Sequence, residues 1–168
     1  MNRARLTGFI VALILFVVDQ AVKGYVVGTL GLDVPGESLT VLPIFDLRFV
    51  QNVGVSLGML RAESDAMRWA LVALTAVIAG GVAWWMTREN NRVDLIALGL
   101  VLGGALGNIL DRVRLGYVVD YADLHFGDWQ PFLVFNVADA AITIGVLILL
   151  ARALFVREKP APRESLNA

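Results

Sequence analysis

Four stretches of this chain, at about 6–25, 66–86, 93–113 and 136–155, are long and apolar enough to cross a bilayer, and together they take about half of its 168 residues. A spanning helix needs roughly 20 mostly apolar residues, because a hydrocarbon core about 30 Å thick leaves its backbone no water to bond. The composition agrees: 58% of residues are hydrophobic and 17% charged, with a mean hydropathy of +0.71, against roughly 45–50% and 25% in a soluble domain. The chain is therefore expected to be an all-α membrane protein, a single four-span domain over 1–156. Arg3 and Arg5 precede the first stretch as they would a signal peptide. That stretch, however, outruns an apolar signal core of about 7–15 residues and closes on no small-residue cleavage pattern, so it reads as a retained span.

Lys and Arg in the short flanks set the orientation. Arg3 and Arg5, Arg88 and Arg92, and Arg152, Arg157, Lys159 and Arg163 would share one side; Arg48, Arg61 and Arg68 in a long segment and Arg112 and Arg114 in a shorter one fall on the other. The bias places both termini in the cytoplasm. The segment 26–65 is too long for a hairpin. Within it 42–51 alternates Asp46 and Arg48 with apolar β-formers and reads as extended, Pro35-Gly36 as a turn, and 61–68 as a short interfacial helix. The outer segment is thus expected to hold short β-strands. The polar, proline-bearing tail 157–168 reads as disordered.

The missing residue types narrow the chemistry. Without Cys there is no thiolate nucleophile or Cys–zinc site, and one His builds no multi-His metal centre. Ser38, Ser56, Ser64 and Ser165 stand in no nucleophile motif. A net charge of −1 with scattered Lys and Arg gives no footprint for nucleic acid. Carboxylates and amides remain, with no cofactor or metal expected.

An ionisable group near the bilayer centre costs about 2.5–3.5 kcal/mol, so each one in or near a span needs a reason. At a rise of 1.5 Å per residue, Asp19 and Lys23 lie about 20 and 26 Å from the cytoplasmic start of span one, Asp111 about 27 Å along span three, and Asp139 about 5 Å inside the outer start of span four. All four fall in the outward half, and Asp120 joins them from the outer connection between spans three and four. This convergence predicts one polar site near the outer surface. Gly104, Asn108 and Asp111 share one helix face, as do Asn136 and Asp139. Gly103, Gly104 and Gly107 suit close helix packing, and Asp19 with Lys23 suits a mutually neutralising structural pair. Asp111 beside Arg112 suits a pair capping span three. His125, Trp84 and Trp85 read as interfacial residues. Asp139 has no basic residue within helical reach. Two carboxylates sharing one water in a poorly hydrated site would share a proton, the arrangement of an aspartic protease. The same residues also suit a proton-coupled transporter relay or a purely structural subunit, although the cytoplasmic half of every span is nearly free of ionisable groups.

The chain resembles lipoprotein signal peptidase, the bacterial signal peptidase II, over nearly its whole length. The matching blocks are Asp19-Gln20 with Lys23; Asn52-Val53-Gly54-Val55-Ser56; Gly103-Gly104-Ala105-Leu106-Gly107-Asn108-Ile109-Leu110-Asp111-Arg112; Val118-Val119-Asp120-Tyr121; and Phe135-Asn136-Val137-Ala138-Asp139-Ala140-Ala141-Ile142. The last three in this order are the most specific. After Gly54 the chain departs from the family's usual small residues and Phe, with Val55-Ser56-Leu57. The resemblance implies an aspartic endopeptidase of the bacterial inner membrane that removes signal peptides from prolipoproteins just before a diacylglyceryl-modified cysteine. By motif it makes Asp120 and Asp139 the catalytic dyad and places Asn52, Gly54, Asn108, Asp111, Arg112 and Asn136 around the substrate. It implies no cofactor or metal, lipidated prolipoproteins and membrane lipids as partners, and a protein working as a monomer.

Overall fold

The computed structural model describes residues 2–54, 65–127 and 129–155. Four helices, α1 (Arg3–Gly28), α2 (Asp65–Arg88), α3 (Arg92–Leu115) and α4 (Val137–Phe155), are joined with three strands, β1 (Ser38–Leu42), β2 (Phe45–Asn52) and β3 (Val118–Leu124). All four helices are long and apolar enough to cross a membrane. Each matches an expected span, α1 running past both ends of 6–25. Of the expected interfacial helix at 61–68, residues 61–64 lie outside the described residues, and the rest begins α2 from Asp65. The tail at 157–168 also lies outside them.

Local chemistry accounts for the helix ends. Asn91 caps α3 by accepting N–H bonds from Val93 and Asp94, at 2.9 and 3.3 Å, and Gly116 closes it in the left-handed conformation at φ 90°. Asp94 sits in the first turn of α3 and Arg112 and Arg114 in the last, each matching the helix dipole.

Polarity runs inside out compared with a soluble bundle. Leu13, Val77, Leu150 and Leu154 face outward, whereas Asp19, Lys23, Asn108, Asp111, Asp120 and Asn136 are buried. α3 is the central helix, with 56% of its most apolar window buried against 17–22% for the others. Its glycines make this burial possible. A Cβ at Gly103 would stand 2.5 Å from the Ala12 carbonyl oxygen on α1, and one at Gly104 2.5 Å from that of Ala138 on α4. Glycine lets both backbones approach without that collision.

The strands form one antiparallel sheet in the order β1-β2-β3, at the end of the bundle where α1 and α3 finish and α2 and α4 begin. A two-residue turn at Pro43-Ile44 joins β1 to β2, with Leu42 opposite Phe45. The extended reading of 42–51 thus corresponds to β2. β3 was not expected: all of Val118–Ala122 and Asp123 are buried, so the segment lacks the apolar–polar alternation that reveals a half-buried strand. A cluster of Val26, Leu32, Phe49, Val119, Tyr121 and Ala122 ties the sheet to the end of α1. His125, expected as an interfacial residue, lies beside the sheet with Nε2 3.5 Å from Asp46 Oδ2.

Candidate active site

The fold carries every expected site residue to the sheet end of the bundle. Asp120 arrives on β3, opposite Val50 of β2. Asp139 arrives in the first turn of α4, and Asn136, just before that helix, locks it in place. The Asp139 N–H donates to Asn136 Oδ1 at 2.9 Å and the Asn136 N–H donates back to Asp139 Oδ2 at 3.3 Å. This is a reciprocal cap on the helix start, legible as Asn-x-x-Asp before an apolar run. It helps Asp139 to stand at a helix N-terminus with no basic residue near it in the chain.

Asn136 also spans the two carboxylates. Its Nδ2 donates to Asp120 Oδ1 at 2.6 Å, with the Val119 carbonyl and Asn108 Oδ1 each at 3.3 Å. Asn52 Nδ2 holds the other Asp120 oxygen at 2.9 Å. Asn52 is oriented in turn, because its Oδ1 accepts the Gly54 N–H at 2.9 Å. Gly54 makes that bond at φ 89°, a conformation that favours glycine, and a Cβ there would meet Leu71 at 2.5 Å. Asp139 Oδ1 accepts from Asn108 Nδ2 at 2.8 Å. Burial pushes the Asp120 carboxyl up to about 6; the N–H groups of Asn52 and Asn136 pull it down and the neighbouring Asp139 pushes it up.

Below the carboxylates lies a charged layer wider than the expected Asp19–Lys23 pair. Lys23 Nζ stands 2.9 Å from Asp19 Oδ2 and 2.7 Å from Asp111 Oδ2. Asp111 is therefore paired with Lys23 rather than with Arg112, since successive helix residues diverge by about 100° while α1 and α3 face each other. Asp111 also accepts the Val119 N–H at 3.2 Å, pinning the start of β3, and Asp19 accepts the Ala138 N–H at 3.1 Å, pinning the start of α4. Gln20, quoted in the motif without a role, donates to Asp111 at 2.9 Å and to Asp19 at 3.1 Å. A polar amide within an apolar span was the available signal. Arg68 was missed outright: it caps the end of α3 through the carbonyls of Arg112 and Val113, at 2.7 and 2.6 Å. Nothing in a single sequence links positions that far apart.

Arg112 is half-buried, its charge felt by Asp139, Asp120 and Asp111, and its Nε is buried without a hydrogen-bond partner among the described residues. Two recesses open beside the carboxylates. One is bordered by Asn52, Gly54, Asp120 and Leu133. The other, about 530 Å³, is an apolar groove of Leu124, Phe132, Leu133, Phe135 and Ile144 that ends on Asp139. The described residues contain no cluster of acidic, His or Cys side chains able to hold a metal ion.

Comparison with known proteins identifies the family. The family model of signal peptidase (SPase) II matches residues 11–155. The lipoprotein signal peptidase of Rhizorhabdus wittichii is 57% identical over 161 residues, covering 96% of this chain and 93% of its own. That of Sphingopyxis alaskensis is 54% identical over 152 residues, covering 90% of this chain and 87% of its own. A bacterial membrane enzyme solved by the in meso method at 1.9 Å superposes with a TM-score of 0.76 at 28% identity, over 90% of this chain and 94% of that one. With the family model matching most of its length and relatives above half identity spanning nearly all of it, the chain belongs to the signal peptidase II family and is a membrane peptidase.

Proposed function

We propose that this peptidase hydrolyses prolipoproteins at the bond preceding a diacylglyceryl-modified cysteine, with Asp120 and Asp139 as its catalytic pair. The observation that carries this reading is that one residue, Asn136, bonds both carboxylates, Asp139 through its backbone N–H and Asp120 through its side-chain amide. They are thereby held as neighbours that share a proton. In this reading Asp120, which burial raises to about 6, is the one that holds it, most fully below that pH.

In this reading a water lies between the carboxyls. Asp139 takes its proton as its oxygen attacks the scissile carbonyl carbon, while Asp120 gives its proton to the carbonyl oxygen. The tetrahedral diol collapses when the proton on Asp139 passes to the amide nitrogen, the C–N bond breaks, and Asp120 recovers its proton from the diol hydroxyl. Arg112, whose buried Nε has no partner among the described residues, is placed to bind a substrate carbonyl. Asn52, Gly54, Asn108, Asp111 and Asn136 shape the site.

The groove ending on Asp139 suits acyl chains, each buried methylene contributing about 0.8 kcal/mol. An acyl anchor would hold the scissile bond at the depth of the carboxylates. The Lys and Arg distribution puts the sheet end outside a bacterial inner membrane and both termini in the cytoplasm. A transporter relay finds no continuation among the described residues, because the buried core beyond the charged layer is Ala12, Ala79, Met86, Leu95, Leu98 and Leu102.

The test incubates the purified protein in detergent with a diacylglyceryl-modified prolipoprotein and its unlipidated twin, and reads the shortened product by gel shift. Cleavage of the lipidated form alone, abolished in Asp120→Asn and in Asp139→Asn of normal melting temperature, is expected. Wild-type turnover by either variant would overturn the dyad.

A further inference from the structure

We propose that Lys23 is a positioning residue for the hydrolysis: by holding the carboxamide oxygen of Asn108, it turns that side chain's N–H toward Asp139 and sets the direction in which the Asp139 carboxyl faces. This rests on the dyad reading above and extends it to a residue on another helix.

The ammonium group has three N–H donors and the structure accounts for all three. Two go to Asp19 and Asp111, at 2.9 and 2.7 Å. The third goes to Asn108 Oδ1 at 3.1 Å. Charge neutralisation explains the first two and leaves the third unexplained. Asn108 in turn donates from Nδ2 to Asp139 Oδ1 at 2.8 Å, so a single amide connects the Lys23 cation to the carboxyl.

An asparagine amide has an accepting end and a donating end of nearly the same shape, and its surroundings decide which end points where. Turned over, Asn108 would set its N–H₂ against the Lys23 ammonium and its oxygen against the Asp139 oxygen, unfavourable at both ends. Without Lys23 the accepting end is held, among the described residues, only by Asn136 Nδ2 at 3.3 Å, a donor whose shorter bond, 2.6 Å, goes to Asp120. Lys23 is therefore the stronger determinant of the amide's direction. It acts from inside, since it is only 4% exposed.

The competing account is that Lys23 merely neutralises Asp19 and Asp111, and the experiment separates the two. Asp19 and Asp111 against Lys23 leave one net negative charge. The variant Lys23→Met/Asp19→Asn leaves the same net charge on Asp111, which keeps its N–H donors from Gln20 and Val119. Positioning predicts a melting temperature near wild type, KM within about twofold, and kcat lower by on the order of 10- to 100-fold, as for a reacting group displaced by a fraction of an ångström. It further predicts that the variant carrying Asn108→Ala as well is no slower than Asn108→Ala alone, because both changes sever the same link. Wild-type kcat in the charge-matched variant, or losses that multiply when it is combined with Asn108→Ala, would overturn the proposal. Should that variant not fold, Lys23→Arg decides: it keeps the charge but cannot set one ammonium on three acceptors, so reduced kcat at unchanged KM supports positioning and wild-type kcat overturns it. Asp139→Asn is assayed beside these proteins. Activity there would sink the dyad reading itself, an outcome distinct from failure of the Lys23 link.

Discussion

Asp120 and Asp139 are the same residue type in unlike settings, one on a buried strand and one in the first turn of a helix. Asp120 alone sits outside the spans, and its raised value has a defined consequence for pH. A carboxyl moved from 3.8 to about 6 holds its proton below that value and loses it above. Between the two values the folded chain binds the proton more tightly than the unfolded one, so this group's contribution to stability falls as pH rises through that window. Catalysis by a singly protonated pair follows the same direction. We expect kcat/KM to fall as pH rises through about 6, and kcat to fall at higher pH, because the acyl chains proposed to fill the groove would exclude water and hold the proton on Asp120 more firmly; initial rates across pH 4–9 at low and saturating substrate check both. A kcat limb below that of kcat/KM would show that substrate does not dehydrate the pair. At this scale the sequence was highly informative, since ionisable residues in apolar spans are costly and stand out. Partners were less legible: Asp111 adjoins Arg112 in the chain yet pairs with Lys23 across the helix interface.

At the scale of elements, the α3–α4 contact sets the separation of the site's two halves. Gly104 meets the carbonyl of Ala138, the residue before Asp139, so any side chain there lifts the start of α4. Gly104→Ala is expected to lower kcat by on the order of tenfold in a folded protein, and Gly104→Leu to separate the helices and lower the melting temperature as well. Gly81→Ala on α2, where a Cβ would meet nothing within 4 Å, should leave activity unchanged. Parallel assays and melts of the three variants check this. Helices were readable because about 20 consecutive apolar residues leave few alternatives. β3 was not, because burial on both faces replaces alternation with the mixed run Val118-Val119-Asp120-Tyr121-Ala122, whose strand character depends on β2 supplying the ladder.

For the whole molecule, the sheet end and the opposite end must face different compartments, and the absence of Cys makes this directly measurable. Ser38→Cys, on β1, should react with a membrane-impermeant maleimide in intact cells, and Asn90→Cys, between α2 and α3, only after permeabilisation; the reverse pattern would invert the proposed topology. Sequence by itself determined the membrane class, the four spans and the residue types available for chemistry. These follow from hydropathy and from the cost of burying charge, which act on each segment without reference to its neighbours. Only the tertiary structure decided that Asn136 reaches Asp120, that Lys23 reaches Asp111 and Asn108, and that Arg68 caps α3. Such contacts join atoms far apart in the chain, and those among α1, α3 and α4 form where the glycines of α3 let these helices close on one another.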